Sequence, residues 1–322
     1  MIKRPLRLRG SNIIRSMVKE NSVALNDLIY PLFVIEGQNK KNPINSMPNI
    51  YQFSIDKLLF EIDELITLGI NSTLLFGITE SKDKVGSNSF DSNGVIQKAT
   101  KEIKKRFPNF YVITDLCFCE YTDHGHCGII KNNKIDNDLT LKYLQKQALS
   151  HVHSGSDLVA PSGMLDGMVK AVREVLDENQ YYNIPIMSYS AKYASSFYGP
   201  FRDAVDSSPK FGDRKNYQMD PANSTEALKE VLIDIDEGAD IVMVKPAMSY
   251  LDIIYKIKKE INIPLATYNV SGEYSMVKAA AEKGWIDENL VRNELLLSFK
   301  RAGSDIIISY FTKDYAVDLK NI

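Results

Sequence analysis

The sequence has few cysteines, a single tryptophan, almost no net charge and no long apolar run. Its 322 residues include three cysteines, 39 basic and 41 acidic side chains, and the net charge is −2. Three thiols are too few for the disulfide framework of small secreted proteins. A near-neutral chain does not favour nucleic acid or an anionic membrane. No apolar run approaches the ~20 residues that a membrane-spanning helix needs, so we expect neither partner.

All three cysteines lie in one short stretch, residues 115–128, which reads D-L-C-F-C-E-Y-T-D-H-G-H-C-G. It contains Cys117, Cys119 and Cys127 with two of the four histidines, His124 and His126. Converging thiolates usually bind a soft or borderline metal, and zinc is the first candidate. Three cysteines favour a catalytic site with one open position, since a structural zinc needs four protein ligands. Closure by a histidine, or three buried cysteines without a metal, remain as alternatives.

A repeated unit organises the rest of the chain. It reads G-S-D-L-V-A at Gly155, G-A-D-I-V-M-V at Gly238 and G-S-D-I-I-I-S at Gly303, with a looser copy at Gly69. In each copy a helix is expected to end at the glycine, and an apolar strand typical of parallel sheets follows. Strands are therefore expected near residues 29–35, 72–77, 110–115, 157–160, 185–190, 240–244, 264–268 and 304–309.

Eight strands that alternate with helices predict an α/β fold, a single (β/α)8 TIM barrel over residues 28–322. Helices are expected at residues 54–68, where Ser54 can cap the start, and at residues 94–107. An open doubly wound sheet is the alternative, but no G-x-G-x-x-G follows a strand to support it. Length alone suggests about two domains, although single barrels also reach this size.

The first 27 residues form a separate N-terminal arm that is rich in basic side chains. Residues 1–20 carry one acid, Glu20, and six basic residues: Lys3, Arg4, Arg7, Arg9, Arg15 and Lys19. There is no apolar core of a secretory signal in this segment. We expect either a solvated tail or an arm that contacts a neighbouring subunit.

Catalytic residues of a barrel lie at the C-terminal ends of its strands. This rule selects seven candidates: Phe76, Asp115, Ser162, Lys192, Lys245, Ser271 and Tyr310. The two lysines follow neighbouring strands, so both side chains are expected at the same C-terminal opening of the barrel. Burial and a second ammonium lower the pKa of a lysine, and a neutral amine can form a Schiff base with a carbonyl. A structural ion pair is the alternative for either lysine alone.

Residues 193–220 show no clear helical or strand period and are expected to form an irregular lid over the active face. This lid segment carries Arg202, Arg214 and Gln218. Arginine binds a carboxylate through two parallel hydrogen bonds. The segment therefore predicts a substrate with a carboxylate and a ketone, unless these charges simply face solvent.

The chain closely resembles the porphobilinogen synthase (5-aminolevulinate dehydratase) family from about Arg4 to Tyr310. The resemblance rests on the cysteine stretch together with R-P-L-R-L-R, V-A-P-S, S-Y-S-A-K-Y-A-S-S-F-Y-G-P-F-R-D-A, K-N-Y-Q-M-D-P, M-V-K-P, Y-N-V-S-G-E-Y and I-I-I-S-Y. It implies condensation of two 5-aminolevulinate molecules to the pyrrole porphobilinogen, with loss of two waters, in haem biosynthesis. A class I Schiff-base aldolase on a TIM barrel is the alternative, since it shares the lysine chemistry.

The resemblance also implies roles for individual residues. Lys245 would bind the substrate that becomes the propionate side, and its carboxylate would meet Ser271 and Tyr310. Lys192 would bind the second substrate. The second carboxylate would meet Arg202 and Arg214, with Gln218 nearby.

Zinc on the three cysteines would contact the second substrate, with Asp115 close by. His124 and His126 are not family ligands, and we expect them to position the lid or the substrate. Phe76 and Ser162 are retained as further substrate contacts.

The resemblance finally implies regulation and assembly. An allosteric magnesium would bind Glu230 in S-T-E-A-L-K-E-V-L, because Mg²⁺ keeps most of its waters and needs few carboxylates. A surface glutamate on an amphipathic helix is the alternative. The family implies a homo-octamer built from dimers through the N-terminal arm. A family motif within the first ten residues leaves no room for a transit peptide, which favours the cytoplasm.

Overall fold

Eight parallel strands form a nearly closed barrel in the computed structural model, which describes residues 2–320. In chain order they are β1 Leu28–Ile35, β2 Ser72–Ile78, β3 Tyr111–Leu116, β4 Leu158–Pro161, β5 Met187–Lys192, β6 Ile241–Lys245, β7 Leu265–Asn269 and β8 Ile306–Ser309. Each predicted strand is present, and its ends lie within two residues of the expected ones. The predicted TIM barrel is confirmed.

Neighbouring strands pair in the order β4-β3-β2-β1-β8-β7-β6-β5. The two ends of this series meet through one bridge between Val159 and Ile186, and the Val159 amide donates to the Pro185 carbonyl at 3.2 Å. Because the ends of the sheet meet, the structure is a barrel and not the open doubly wound alternative.

Most of the helices surround the barrel, whereas the first lies in the N-terminal arm. They are α1 Asn12–Met17, α2 Ile55–Leu68, α3 Val95–Arg106, α4 Asn137–His153, α5 Met168–Glu178, α6 Gly199–Val205, α7 Thr225–Asp236, α8 Leu251–Lys258, α9 Ser271–Glu282, α10 Glu288–Ala302 and α11 Thr312–Lys320. Two short strands, Lys41–Pro43 and Tyr51–Ser54, pair beside β1, and Ile130–Lys131 pairs with Lys134–Ile135. No helix within residues 2–320 combines the length and apolar character needed to span a bilayer.

The repeated glycine-aspartate unit closes the N-terminal end of the barrel. Gly303 ends α10 with φ +116°, a conformation that strains any residue with a Cβ. The aspartate of each unit accepts a hydrogen bond at 2.8 Å from a backbone amide at the start of the neighbouring strand: Asp157 from Val112, Asp240 from Ile186 and Asp305 from Leu265. The repeat therefore ends a helix and also joins adjacent strands.

Two local predictions were wrong. Ser54 precedes α2 but makes no capping bond. Its hydroxyl instead donates to Asp56 at 2.6 Å and accepts from the Lys40 amide at 2.9 Å. The lid segment is not wholly irregular, because it contains α6 and the preceding 3-10 turn Ser196–Tyr198. Pro200 lies in the first turn of α6, where its fixed φ suits a helix start.

The N-terminal arm is largely exposed from residue 2 to residue 20. It contains the 3-10 turn Pro5–Arg9 and α1, neither of which has a buried residue. Apolar side chains of the arm also face outwards, and Ile13 and Met17 are 74 % and 76 % exposed. Contact with a neighbouring subunit remains a prediction.

Candidate active site

Two lysines end adjacent strands at the C-terminal face of the barrel. Lys192 is the last residue of β5 and Lys245 the last of β6, and the two are paired in register. Each is only 6 % exposed. The Nζ atoms of Lys192 and Lys245 lie 5.4 Å and 5.0 Å from the centre of the same Tyr189 ring. The structure therefore brings both predicted amines into one site, where Lys192 Nζ donates to the Ser162 carbonyl at 2.6 Å.

Aromatic rings surround the amine of Lys245. Its Nζ lies 4.1 Å from the ring centre of Tyr268, 5.3 Å from that of Phe201 and 5.4 Å from that of Tyr198. Burial, together with the nearby ammonium of Lys192, lowers the pKa of Lys245 to about 7. Near neutral pH a large fraction of this amine is therefore unprotonated, as a nucleophile must be.

Two buried carboxyl groups lie beside the lysines. Burial, and secondly the charge of Glu120, raise the pKa of Asp115 to about 7. Asp115 Oδ2 accepts from the Ser162 hydroxyl at 3.0 Å, while Asp115 Oδ1 and Glu120 Oε2 are buried without a protein partner. A carboxyl group with such a pKa can give or take a proton at neutral pH.

The three cysteine sulfurs form a buried cluster in the loop after β3. All three lie within 4.8 Å of one another, and the Sγ atoms of Cys117 and Cys119 are 3.3 Å apart. Hydrogen bonds from the other two thiols lower the pKa of Cys127, whereas hydrogen bonds with Cys119 and Cys127 raise that of Cys117. A soft cation would remove this competition by stabilising all three thiolates, so the cluster fits a thiolate-bound metal.

Neither histidine of this loop joins the cysteine cluster. His126 Nε2 lies 2.9 Å from the Phe211 carbonyl, and its Nδ1 lies 3.2 Å from the Tyr217 hydroxyl. His124 Nδ1 accepts from the His126 amide at 3.1 Å. Among the described residues, the groups of three or more ligand atoms within 4.8 Å contain no histidine. The geometry favours the open three-cysteine site over closure by histidine.

Both predicted arginines of the lid segment face the lysine cavity. Arg214 Nη2 donates to the carbonyls of Gly125 and Ser207, at 2.9 Å and 2.6 Å. Its Nε is buried without a partner, as is the Nε of Arg202. These free N–H groups could bind a carboxylate.

One narrow cavity brings these groups together. Its lining consists of Phe76, Asp115, Cys117, Cys119, Glu120, Ser162, Lys192, Tyr198, Phe201, Arg202, Arg214 and Lys245. The cavity volume is about 20 Å³, which is close to the space that one water needs. Four of the lining residues, Tyr198, Phe201, Arg202 and Arg214, belong to the lid segment.

The other predicted contacts, Ser271, Tyr310 and Gln218, are not among the residues that line this cavity. Ser271 begins α9, and its hydroxyl accepts from the Phe201 amide at 3.0 Å. The Tyr310 hydroxyl lies 3.1 Å from that of Tyr268, one of the rings around Lys245. Gln218 does not line the lysine cavity. It lines a separate outer cavity with Glu230, and both polar atoms of its amide lack partners.

Glu230 lies on α7, as the amphipathic pattern predicted. Its half-buried carboxyl faces other acids: burial, followed by the charges of Asp234, Asp166 and Glu226, raises the pKa of Glu230. A divalent cation would be attracted to this acidic group.

Sequence reasoning missed three residues that line the cavity, Glu120, Tyr198 and Phe201, and two whose rings lie beside Lys245, Tyr189 and Tyr268. Glu120 could have been found, because it lies inside the cysteine stretch. Tyr189 and Tyr268 are buried residues of β5 and β7, and an aromatic residue in a barrel strand suits core packing equally well. Their contact with Lys245 became visible only in the structure.

Known proteins resemble this chain over almost its whole length. The chain matches the family model described as delta-aminolevulinic acid dehydratase over residues 2–317. It is 56 % identical to the delta-aminolevulinic acid dehydratase of Synechocystis sp. over 317 residues, covering 97 % of both chains. Identity to the Bacillus subtilis enzyme of that name is 53 % over 310 residues, with 96 % of each chain covered.

One solved structure is similar to this chain in both fold and sequence. The Toxoplasma gondii ME49 delta-aminolevulinic acid dehydratase (porphobilinogen synthase), in complex with the reaction product porphobilinogen, has a TM-score of 0.98 to this chain at 43 % identity. The match covers 100 % of this chain and 93 % of the other.

Proposed function

The chain belongs to the delta-aminolevulinic acid dehydratase family, and we propose that it condenses two 5-aminolevulinate molecules to porphobilinogen with loss of two waters. The observation that carries this proposal is the pair of buried lysines, Lys192 and Lys245, in one cavity with two arginines and two cysteines of the three-cysteine cluster. A class I aldolase needs one Schiff-base lysine, whereas two amines suit the joining of two ketones.

Lys245 is the proposed nucleophile for the first substrate. Its neutral amine attacks the ketone carbon, and loss of water from the resulting carbinolamine forms the Schiff base. Burial and the nearby ammonium of Lys192 favour the neutral amine, and they outweigh the opposing charges of Asp115 and Glu120. Ser271 and Tyr310 are proposed to bind the carboxylate of this substrate.

Lys192 is proposed to bind the second substrate in the same way, with Arg202 and Arg214 on its carboxylate. The free N–H groups of these arginines support this assignment. Asp115 and Glu120 are suited to move the protons that the two dehydrations require, since burial raises the pKa of each. Holding both substrates in one closed cavity makes the joining step effectively intramolecular.

Zinc is the proposed metal, held by Cys117, Cys119 and Cys127 with one position open. When bound it would supply modest Lewis acidity and orient the second substrate, because three thiolates already neutralise its charge. The buried, mutually close sulfurs and the absence of histidine among them support this proposal.

Magnesium at Glu230, homo-octamer assembly through the N-terminal arm and location in the cytoplasm remain predictions. The acidic surroundings of Glu230 and the exposed apolar side chains of the arm support the first two.

The test is to incubate the purified protein with 5-aminolevulinate and score pyrrole formation with Ehrlich reagent. Borohydride added during turnover should reduce Schiff bases, and peptide mass spectrometry should find adducts on Lys245 and Lys192. A protein that forms no pyrrole, or that carries adducts only on other lysines, would refute the proposed function.

A further inference from the structure

We propose that Glu273 is a positioning residue for the substrate site around Lys245. It would act through a buried hydrogen-bond network that joins the C-terminal ends of β6, β7 and β8. The inference rests on the proposed function, because it concerns the site in which Lys245 binds a substrate. Glu273 is the third residue of α9 and has no exposed surface.

The carboxylate of Glu273 connects two neighbouring strand ends. Its Oε1 accepts from the backbone amide of Met248 at 2.8 Å, three residues after Lys245. Its Oε2 accepts from Asn269 Nδ2 at 2.9 Å and from the Val270 amide at 3.0 Å. One side chain therefore ties the loop after β6 to the end of β7, just before Ser271.

The network continues to β8 through the side chain of Asn269. Asn269 Oδ1 accepts from the Ser309 hydroxyl at 2.9 Å, and Ser309 Oγ accepts from the Phe311 amide at 3.1 Å. Asn269 and Ser309 are the last residues of their strands and are paired in register. Tyr310 lies in the chain between Ser309 and Phe311, which this last hydrogen bond joins.

Three residues proposed for one substrate therefore come from elements that this network holds together. Lys245 ends β6, Ser271 follows β7, and Tyr310 follows β8. Lys192 lies on β5 and the two arginines on the lid segment, which supply none of these hydrogen-bond partners. Since a small displacement of a binding group can cost much activity, loss of the network should affect the Lys245 site selectively.

The substitution E273Q tests this proposal with almost no change of shape. A carboxylate accepts hydrogen bonds at both oxygens, and Glu273 uses both. An amide has one acceptor oxygen, and its NH₂ group can only donate. In either orientation of the glutamine amide, its NH₂ group therefore points at an N–H donor of the network. The hydrogen bonds on that side are lost, and one of the two joined segments is released.

The experiment measures borohydride trapping at each lysine against 5-aminolevulinate concentration, with peptide mass spectrometry and zinc analysis. E61Q is the matched control, because Glu61 is also a buried glutamate but pairs with Lys313 on the outer helices. For E273Q we expect the concentration for half-maximal trapping at Lys245 to rise at least tenfold. Trapping at Lys192 and the zinc content should stay within twofold of the unsubstituted protein, and E61Q should change neither lysine.

The possible failures are distinguishable. If the unsubstituted protein gives no Lys245 adduct, the proposed function is wrong. If it gives the adduct and E273Q traps at Lys245 equally well, or loses trapping at both lysines to the same extent, the positioning role is refuted. Should E273Q fail to fold, S309A removes one hydroxyl from the same network. It must weaken trapping at Lys245 more than trapping at Lys192, by a smaller factor than is expected for E273Q.

Discussion

Replacement of Lys192 should change the pH at which Lys245 becomes reactive. Two substitutions separate charge from chemistry: K192M removes the second positive charge, and K192R keeps a positive charge that cannot form a Schiff base. Burial lowers the pKa of Lys245 most, and the ammonium of Lys192 lowers it further, to about 7. Because the second charge disfavours the ammonium form of Lys245, its removal must raise this pKa.

The size of the effect follows from the geometry. Both Nζ atoms lie near the Tyr189 ring, at 5.4 Å and 5.0 Å from its centre, so they are at most about 10 Å apart. At an effective dielectric constant of about 20, two charges at that distance repel by about 1.7 kcal/mol, so the repulsion is worth at least about one pKa unit. The neutral fraction of Lys245 in K192M should therefore fall about fivefold at pH 7 and roughly tenfold well below pH 7.

The assay is the initial rate of borohydride-trapped adduct on Lys245 from pH 5.5 to 9.5. In K192R the rate should rise with pH through a midpoint near 7, and in K192M the midpoint should move up by about one unit. Circular dichroism at each pH controls for unfolding. Equal midpoints in the two variants, or a midpoint near 10 in K192R, would refute this account of how Lys245 is activated.

Three further outcomes are expected. C119A should lose bound zinc and pyrrole formation while keeping its circular dichroism spectrum. Retained zinc, measured by mass spectrometry, would contradict the three-cysteine site. R214L removes charged hydrogen bonds that are each worth about 1.5–3 kcal/mol, so the KM for 5-aminolevulinate should rise by roughly tenfold or more, and an unchanged KM would argue against the carboxylate clamp. E230A should abolish any effect of magnesium on the oligomer seen by sizing chromatography without changing zinc content. A persisting magnesium response would place that site elsewhere.

The repeating pattern of the chain predicted the architecture because it depends on local physics. A glycine such as Gly303 must adopt a left-handed conformation to end a helix, and the apolar residues after it must be covered on both faces. Both requirements act within a few neighbouring residues, so they can be recognised in the sequence without knowledge of the fold. The same holds for the cysteine stretch, where three ligands lie close together in the chain.

Only the tertiary structure decided which of these residues meet, and in what environment. Tyr189, Tyr268 and Phe201 come from two strands and the lid segment, and their rings surround Lys245 although nothing in the chain marks them as partners. The structure also decided the place of Gln218, which was expected near the carboxylate of the second substrate and lines the outer cavity. Burial, the distance between two charges and the direction of a side chain depend on the packing of distant segments, and these quantities set the pKa of Lys245.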